Sequence, residues 1–332
     1  MPIKKILFLL IILLTFKNGY SQDPVFSQYF MIPETINTGF TGALETPKFG
    51  VVHRTQWADL DFSINTQFAY VDGWFDNINS GIGISILNHT ETNTKYKFTQ
   101  VNLNYALAIR LSREWYLRPS IAVGLGIKDY AFQNLLLEDQ VNISTGTINS
   151  SSIDPTLLLE KKRFVDFSSS ILLNNENSWF GLTIRHLNKP NISLTSEGNT
   201  PLDMFISVHS VIEFPLYRYS NYKYSDKNSV YFLSNFMKQG DFSRLDIGSQ
   251  YVYDDTFSFG VLAVTNPLKN NSSKQFLTSI NAFVGLKWKD LKFGYSYDLN
   301  ISKIGNTGGV YEFSISYSLR DYVTHAKCPV QF

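Results

Sequence analysis

The stretch Leu291-Lys292-Phe293-Gly294-Tyr295-Ser296-Tyr297-Asp298-Leu299 decides the reading of this chain. Five large apolar residues alternate with Lys, Gly, Ser and Asp. Successive side chains of a β-strand point to opposite faces, whereas a helix would repeat its apolar residues every three or four positions. The segment is therefore a two-faced strand. Residues 311–319 repeat the pattern, with Tyr311, Phe313, Ile315, Tyr317 and Leu319 against Glu312, Ser314, Ser316 and Ser318. In 62–70, Phe62, Ile64, Phe68 and Tyr70 stand against Ser63, Asn65 and Gln67. Similar runs occur at 82–86, 101–109, 117–127, 180–184, 206–214 and 280–288. Many are longer than the ~5–6 residues of an ordinary globular strand and match the ~9–11 residues of a tilted membrane strand. The polar stripe is rich in Gly, Ser, Asn, Thr and Gln and poor in charge. That suits an enclosed lumen, with the apolar stripe turned to lipid. Trp57, Trp74, Trp115, Trp179 and Trp288 fall near segment ends, where interfacial aromatic girdles are expected.

The composition agrees. Of 332 residues, 17% are charged, below the ~25% of an average soluble domain. With 29 basic and 28 acidic residues the chain has no electrostatic footprint for nucleic acid. One cysteine excludes a disulfide framework and a thiolate metal cluster. At 44% hydrophobic the bulk is not disordered. The first residues read as an address. Lys4 and Lys5 precede a short apolar run, and Gly19 and Ser21 sit at −3 and −1 of a cut before Gln22, the pattern of a secretory signal peptide over 1–21.

The expected fold is an all-β, transmembrane, antiparallel up-and-down barrel. Fourteen strands are expected near 47–57, 61–71, 80–88, 96–110, 115–130, 163–173, 178–187, 203–215, 228–238, 242–253, 256–265, 275–288, 291–300 and 310–320. An even number puts both termini on one side, with short turns there, except a long one at 216–227, and long loops outside, except a short one at 239–241. The long external loops are then 131–162, 188–202, 266–274 and 301–309. The chain divides into a signal peptide (1–21), an N-terminal periplasmic or plug segment (22–46), the barrel (47–320) and a tail (321–332). A soluble β-sandwich is the alternative fold.

Catalytic signatures are absent from the sequence. There is no G-x-S-x-G, and the histidines at 53, 89, 186, 209 and 325 form no H-E-x-x-H or other close metal pair. Gly124-Leu125-Gly126 lies within a strand and lacks the third glycine and helix of a nucleotide loop; small residues there relieve crowding in the lumen. Asp254-Asp255 reads as a solvated turn. No enzyme, cofactor or metal is expected. Cys328 is read as a small buried residue or as half of an intermolecular disulfide.

Other landmarks are Gln22-Asp23-Pro24-Val25-Phe26-Ser27-Gln28-Tyr29-Phe30, then Asn37, then Thr41-Gly42. His53-Arg54-Thr55-Gln56-Trp57 lies on the first strand. Near the end come Tyr295, Tyr297 and Asp298, then Glu312, and last Cys328-Pro329. A charge at Arg54 on a lumen face needs an acid partner. Glu312 and Asp298 are candidates, because the first and last strands of a closed barrel adjoin. Phe26, Tyr29 and Phe30 could pack as a plug. These residues either weld the seam and seat the N-terminal segment or bind a partner.

The ordered set resembles the PorP/SprF family of outer-membrane proteins, associated with type IX secretion and gliding motility. Its members typically show Q-D-P-x-F-S-Q-Y, R-x-Q-W, G-Y-x-Y-D and a short Cys-Pro tail. This chain departs from the family at Ile32-Pro33 and at Asn37–Gly42, where Asn-Pro pairs are usual, and at His53, where Tyr is common. The resemblance implies a non-catalytic protein in the outer membrane of a Gram-negative bacterium. It implies partners among outer-membrane lipid, periplasmic secretion components and the C-terminal domain of a secreted adhesin, met through the external loops. A pore or solute channel is the alternative function.

Overall fold

The computed structural model describes residues 22–60, 62–130, 140–142, 145–149, 161–194, 198–216, 228–268, 276–301 and 307–319. Residues 1–21, expected as a signal peptide, the C-terminal tail with Cys328 and Pro329, and most of 131–162 lie outside these residues.

Fourteen strands form the wall: β1 (Lys48–Gln56), β2 (Ile64–Phe75), β3 (Ser80–Glu91), β4 (Tyr96–Leu107), β5 (Tyr116–Tyr130), β6 (Lys162–Asn174), β7 (Ser178–Arg185), β8 (Phe205–Leu216), β9 (Asn228–Gln239), β10 (Phe242–Tyr253), β11 (Phe257–Thr265), β12 (Leu277–Trp288), β13 (Leu291–Asn300) and β14 (Val310–Ser318). Each pairs antiparallel with its chain neighbours, and β1 closes the ring on β14 through nine residue pairs, Lys48↔Ser318 to Gln56↔Val310. Closure removes every open edge, the condition for a sheet in hydrocarbon, where no water can satisfy free backbone groups. On the terminal side the connections β6–β7 (175–177), β10–β11 (254–256) and β12–β13 (289–290) are tight. Asp254 and Asp255 both have φ of 49°, the left-handed pair a two-residue hairpin requires.

The period-two pattern places residues as expected over most of the wall. On β13, Ser296 and Asp298 point inward and Phe293 and Leu299 point out. Three expectations fail. The lumen is not simply polar. Residues 22–46 run through it and form its apolar core, with Phe26, Tyr29, Phe30, Met31, Ile32, Ile36 and Phe40 packed against inward residues such as Val52, Leu172, Leu233 and Phe283. On β2 the hydropathy rule inverts: Phe68 and Tyr70 point inward, and Asn65 and Gln67 share the outward side with the exposed Val71. An aromatic plug makes the lumen the better home for them, since Phe26 stacks 6.1 Å from Phe68. Trp179, expected in an interfacial girdle, is 1% exposed and faces the lumen, where Phe40 meets its ring edge-on at 5.0 Å.

Candidate functional site: the anchored plug

The plug crosses the whole lumen. Asp23 touches Arg185 and His186 at the far end of β7, away from the rim where β1 begins and β14 ends. Thr46 and Pro47 then lead into β1 at the near end. Two short 3-10 turns shape the path. Pro33–Thr35 opens on a proline, whose fixed φ suits a first helical position. Thr38–Phe40 is capped by Asn37, whose Oδ1 accepts from the Gly39 amide at 2.7 Å. Gly42, at φ +66°, lies against Gly81; a side chain on either would collide with the facing backbone.

Three clusters hold it. The first lies at the seam. Arg54 on β1 and Glu312 on β14 are register partners and form an ion pair, and Asp298 Oδ2 lies 3.7 Å from the same guanidinium. Glu312 also accepts the amides of Ser27 and Gln28 at 2.8 and 3.0 Å, one on each carboxylate oxygen. Ser27 Oγ donates to Asp298 at 2.9 Å and accepts from Arg54 at 3.3 Å. Arg244 reaches the same hydroxyl at 3.3 Å and pairs with Asp246 at 2.8 Å. The seam charges thus bind backbone as well as each other, which offsets the desolvation that makes isolated buried charges costly.

The second is a clasp at the far end. His186 Nε2 lies 2.8 Å from Asp23 and Nδ1 lies 3.0 Å from Asp166. Two buried carboxylates this close favour the charged imidazolium. Burial alone would lower the His186 pKa, but Asp23 and Asp166 push it up to about 9. Burial likewise works to raise the Asp23 carboxyl, and the charges of His186 and Arg185 overcome it and hold the group well below the usual carboxylate range. Gln239 Oε1 accepts the Asp23 amide at 2.7 Å.

The third lies along β5 to β8. Asn37 Nδ2 donates to the Ile171 carbonyl at 3.2 Å and meets His209 Nε2 at 3.0 Å, so His209 accepts there and carries its proton on Nδ1, 2.8 Å from Ser207 Oγ. Arg118 donates to the carbonyls of Gly39 and Thr41 at 2.9 and 3.1 Å. Between the plug and the inner faces of β3–β7 a chamber of about 60 Å³ remains, lined by Ser85, Gln100, Asn104 and Ser170 on one part and by Phe26, Phe68 and Phe98 on another. Above it Ile192 and Leu202, from the segment after β7, pack on Phe98 and Phe164.

Among the motif residues, Asp23, Pro24, Phe26, Ser27, Gln28, Tyr29, Asn37, Gly42, Arg54, Asp298 and Glu312 all lie on the plug or face it. Tyr295 and Tyr297 do not. They point outward and meet the tilted rings of Phe313 and Tyr311 at 4.8 and 4.9 Å. Gln56 ends β1, and Trp57 turns away from the plug to meet Phe62 at 5.7 Å. Sequence reasoning missed Arg118, Asp166, Arg185, His186, His209, Arg244 and Asp246. The signal available was a charged or imidazole side chain among the Ser and Asn of a lumen-facing stripe. Among the described residues no group of His, Cys, Asp and Glu could hold a metal ion.

Fold and site together define an outer-membrane β-barrel whose lumen is filled by its own N-terminal segment. A model of the type IX secretion system membrane protein PorP/SprF family matches residues 18–317, and the chain belongs to that family. No curated protein matches it. Solved outer-membrane proteins are similar only in outline. The Pseudomonas putida toluene transporter TodX shares 9% identity over 87% of this chain and 94% of its own, with a TM-score of 0.48. The Acinetobacter baumannii protein Omp33 shares 7% over 83% of this chain and 100% of its own, with a TM-score of 0.41.

Proposed function

We propose that this barrel is a non-catalytic accessory component of type IX secretion that supports export or surface attachment of one large adhesin. The observation that supports this reading is the plug. Its aromatic core and three polar clusters fill the lumen, so the fold serves better as a rigid scaffold than as a conduit. The segment after β7 and the other loops on the side away from the termini then carry the recognition surface, as loops on a rigid frame commonly do. The adhesin's C-terminal domain is the expected partner there, and periplasmic secretion components meet the opposite rim. Deleting the gene and measuring surface display of the secreted repeat protein encoded nearest to it tests the reading. Loss of display with normal transcript is expected; unchanged export and display overturns it.

A channel is the second reading, favoured by the chamber beside the plug. A cavity of about 60 Å³ holds a few waters and no larger solute. Purified protein in planar bilayers is expected to be silent; a stable open current would restore the pore.

A further inference from the structure

The outer wall is not uniformly apolar. On β1, Phe49 and Val51 are 51% and 42% exposed and alternate with the buried Val52 and Arg54, so His53 and Thr55 continue the outward stripe. From them a hydrogen-bonded ladder crosses four strands on the outside of the barrel. Asn65 Oδ1 accepts from Thr55 Oγ1 at 3.0 Å, Thr55 meets His53 at 3.1 Å, and Gln67 meets the other His53 nitrogen at 3.1 Å. Asn88 donates to Gln67 at 2.7 Å, and Thr99 donates to Asn88 at 3.1 Å. Two register rows link these strands; one runs through Lys97 on β4 to Asp129 on β5, the other through Ile127 on β5 to Arg163 on β6, with Lys161 3.0 Å from Asp129. Among the described residues, three cations thus face one carboxylate at the external rim.

The same two rows are aromatic or aliphatic in the other direction. His53 is the register partner of Phe313, and Thr55 of Tyr311. The apolar stripe therefore has unequal height. On β13 it runs from Leu291 to Leu299, about 20 Å at a rise of ~3.4 Å per residue and a tilt of ~40°. On β1 it holds Phe49 and Val51 alone before His53. The external half of the belt is notched, and hydrocarbon there would lie against imidazole and amide groups at a cost.

Directly beside the notch the wall is dented. An apolar recess of about 630 Å³ lies on the outer surface, lined by Val51, Val284, Phe293, Phe313 and Ile315, with His53 on its edge. An apolar trough, an uncharged hydrogen-bonding ladder and a rim whose described residues are net positive thus stand in sequence from mid-membrane to the surface. The geometry points to a site for one molecule of a phosphorylated glycolipid of the outer leaflet. An acyl chain occupies the recess, sugar hydroxyls meet the ladder at His53, Gln67 and Asn88, and the phosphates meet Lys97 and Arg163. Charge complementarity selects an anionic head, and the amide ladder selects a hydroxyl-rich one over a bare phosphodiester.

The test titrates the purified full-length barrel in detergent with Kdo2-lipid A and follows bound lipid by native mass spectrometry. One equivalent is expected to bind. Lys97→Gln with Arg163→Gln is expected to weaken it by about tenfold or more, from the ~1 kcal/mol that each basic residue contributes near an anionic lipid surface. Val284→Trp, which fills the recess and leaves the charges intact, is expected to weaken it too. All three side chains lie on the outer surface, and the heat-dependent gel shift of folded barrels verifies each variant. If Val284→Trp does not fold, the charge variant decides alone. Equal binding of phosphatidylglycerol, unchanged affinity in the charge variant, or two copies of the protein joined through this face would each overturn the assignment.

Discussion

β2 and β13 are both two-faced strands, yet they present opposite faces. On β13 the aromatic Phe293 faces lipid and Ser296 and Asp298 face the plug. On β2 the aromatic Phe68 and Tyr70, each 6% exposed, face the plug, and Asn65 and Gln67 face out. The difference lies in what stands across the lumen. Opposite β13 the plug offers Ser27 and Gln28, which bond Asp298 and Ser296. Opposite β2 it offers Phe26. In a plugged barrel the inward face is matched to the plug, and hydropathy alone does not choose the side.

The largest effect should come from the seam on the polar side. Glu312→Ala leaves Arg54 buried beside Asp298 and removes the acceptor of two plug amides. A loss of about 5 kcal/mol is expected, at the upper end for breaking a buried pair. Unfolding of the purified barrel in urea, followed by gel mobility, measures it; a loss below ~1 kcal/mol would mean that Arg54 finds water there and the seam is not sealed.

Next comes a matched pair that addresses the inversion itself. Phe68→Ala is expected to cost about 3–4 kcal/mol, a transfer contribution plus a cavity in the rigid core. Phe293→Ala is expected to cost about 2 kcal/mol, since lipid closes over the gap and only the transfer contribution is lost. Equal costs would show that the plug packs loosely against β2.

A graded effect follows from the clasp. The His186 pKa is raised from 6.5 to about 9, so its contribution is complete below pH 6.5 and fades as pH climbs through 9. Asp23 is shifted the other way, and its contribution is complete above pH 3.8 and fades in acid. The plug start is therefore held best between about pH 4 and 6.5. In a Cys328→Ser background, maleimide labelling of Val25→Cys should rise roughly tenfold between pH 7 and pH 10. In a His186→Gln variant the rate of plug exposure should no longer change over that range, once the reagent's own pH dependence is subtracted. A retained rise would place the switch elsewhere.

The smallest effect belongs to Asn37→Ala, which removes a cap and the partner of His209. About 1–2 kcal/mol is expected from thermal unfolding, and His209→Asn in the same chain should not add in full, because the two share one bond.

The sequence made the barrel legible because alternation is local. Fourteen strands, their order and the pairing of Arg54 with an acid across the first and last strands follow from periodicity and closure. The strand edges moved by a few residues, as with β2, expected at 61–71 and found at Ile64–Phe75. The plug anchors were only half legible. Asp23, Ser27, Gln28 and Asn37 stand in a compact motif, but their partners His186, Arg244, Glu312 and His209 lie more than a hundred residues away. No local pattern marks which lumen-facing His or Arg lies at the height of a given plug residue.

By itself, then, the amino-acid order determined the strand repeat, the closure of the wall and the existence of a distinctive N-terminal motif, because each depends on neighbours in the chain. Only the tertiary structure decided that this motif runs the length of the lumen, that Phe68 turns inward to meet it, and that β1 to β4 carry a polar notch outside. Those outcomes depend on which side chains meet across the barrel and at what height, and strand stagger sets that after the ring has closed.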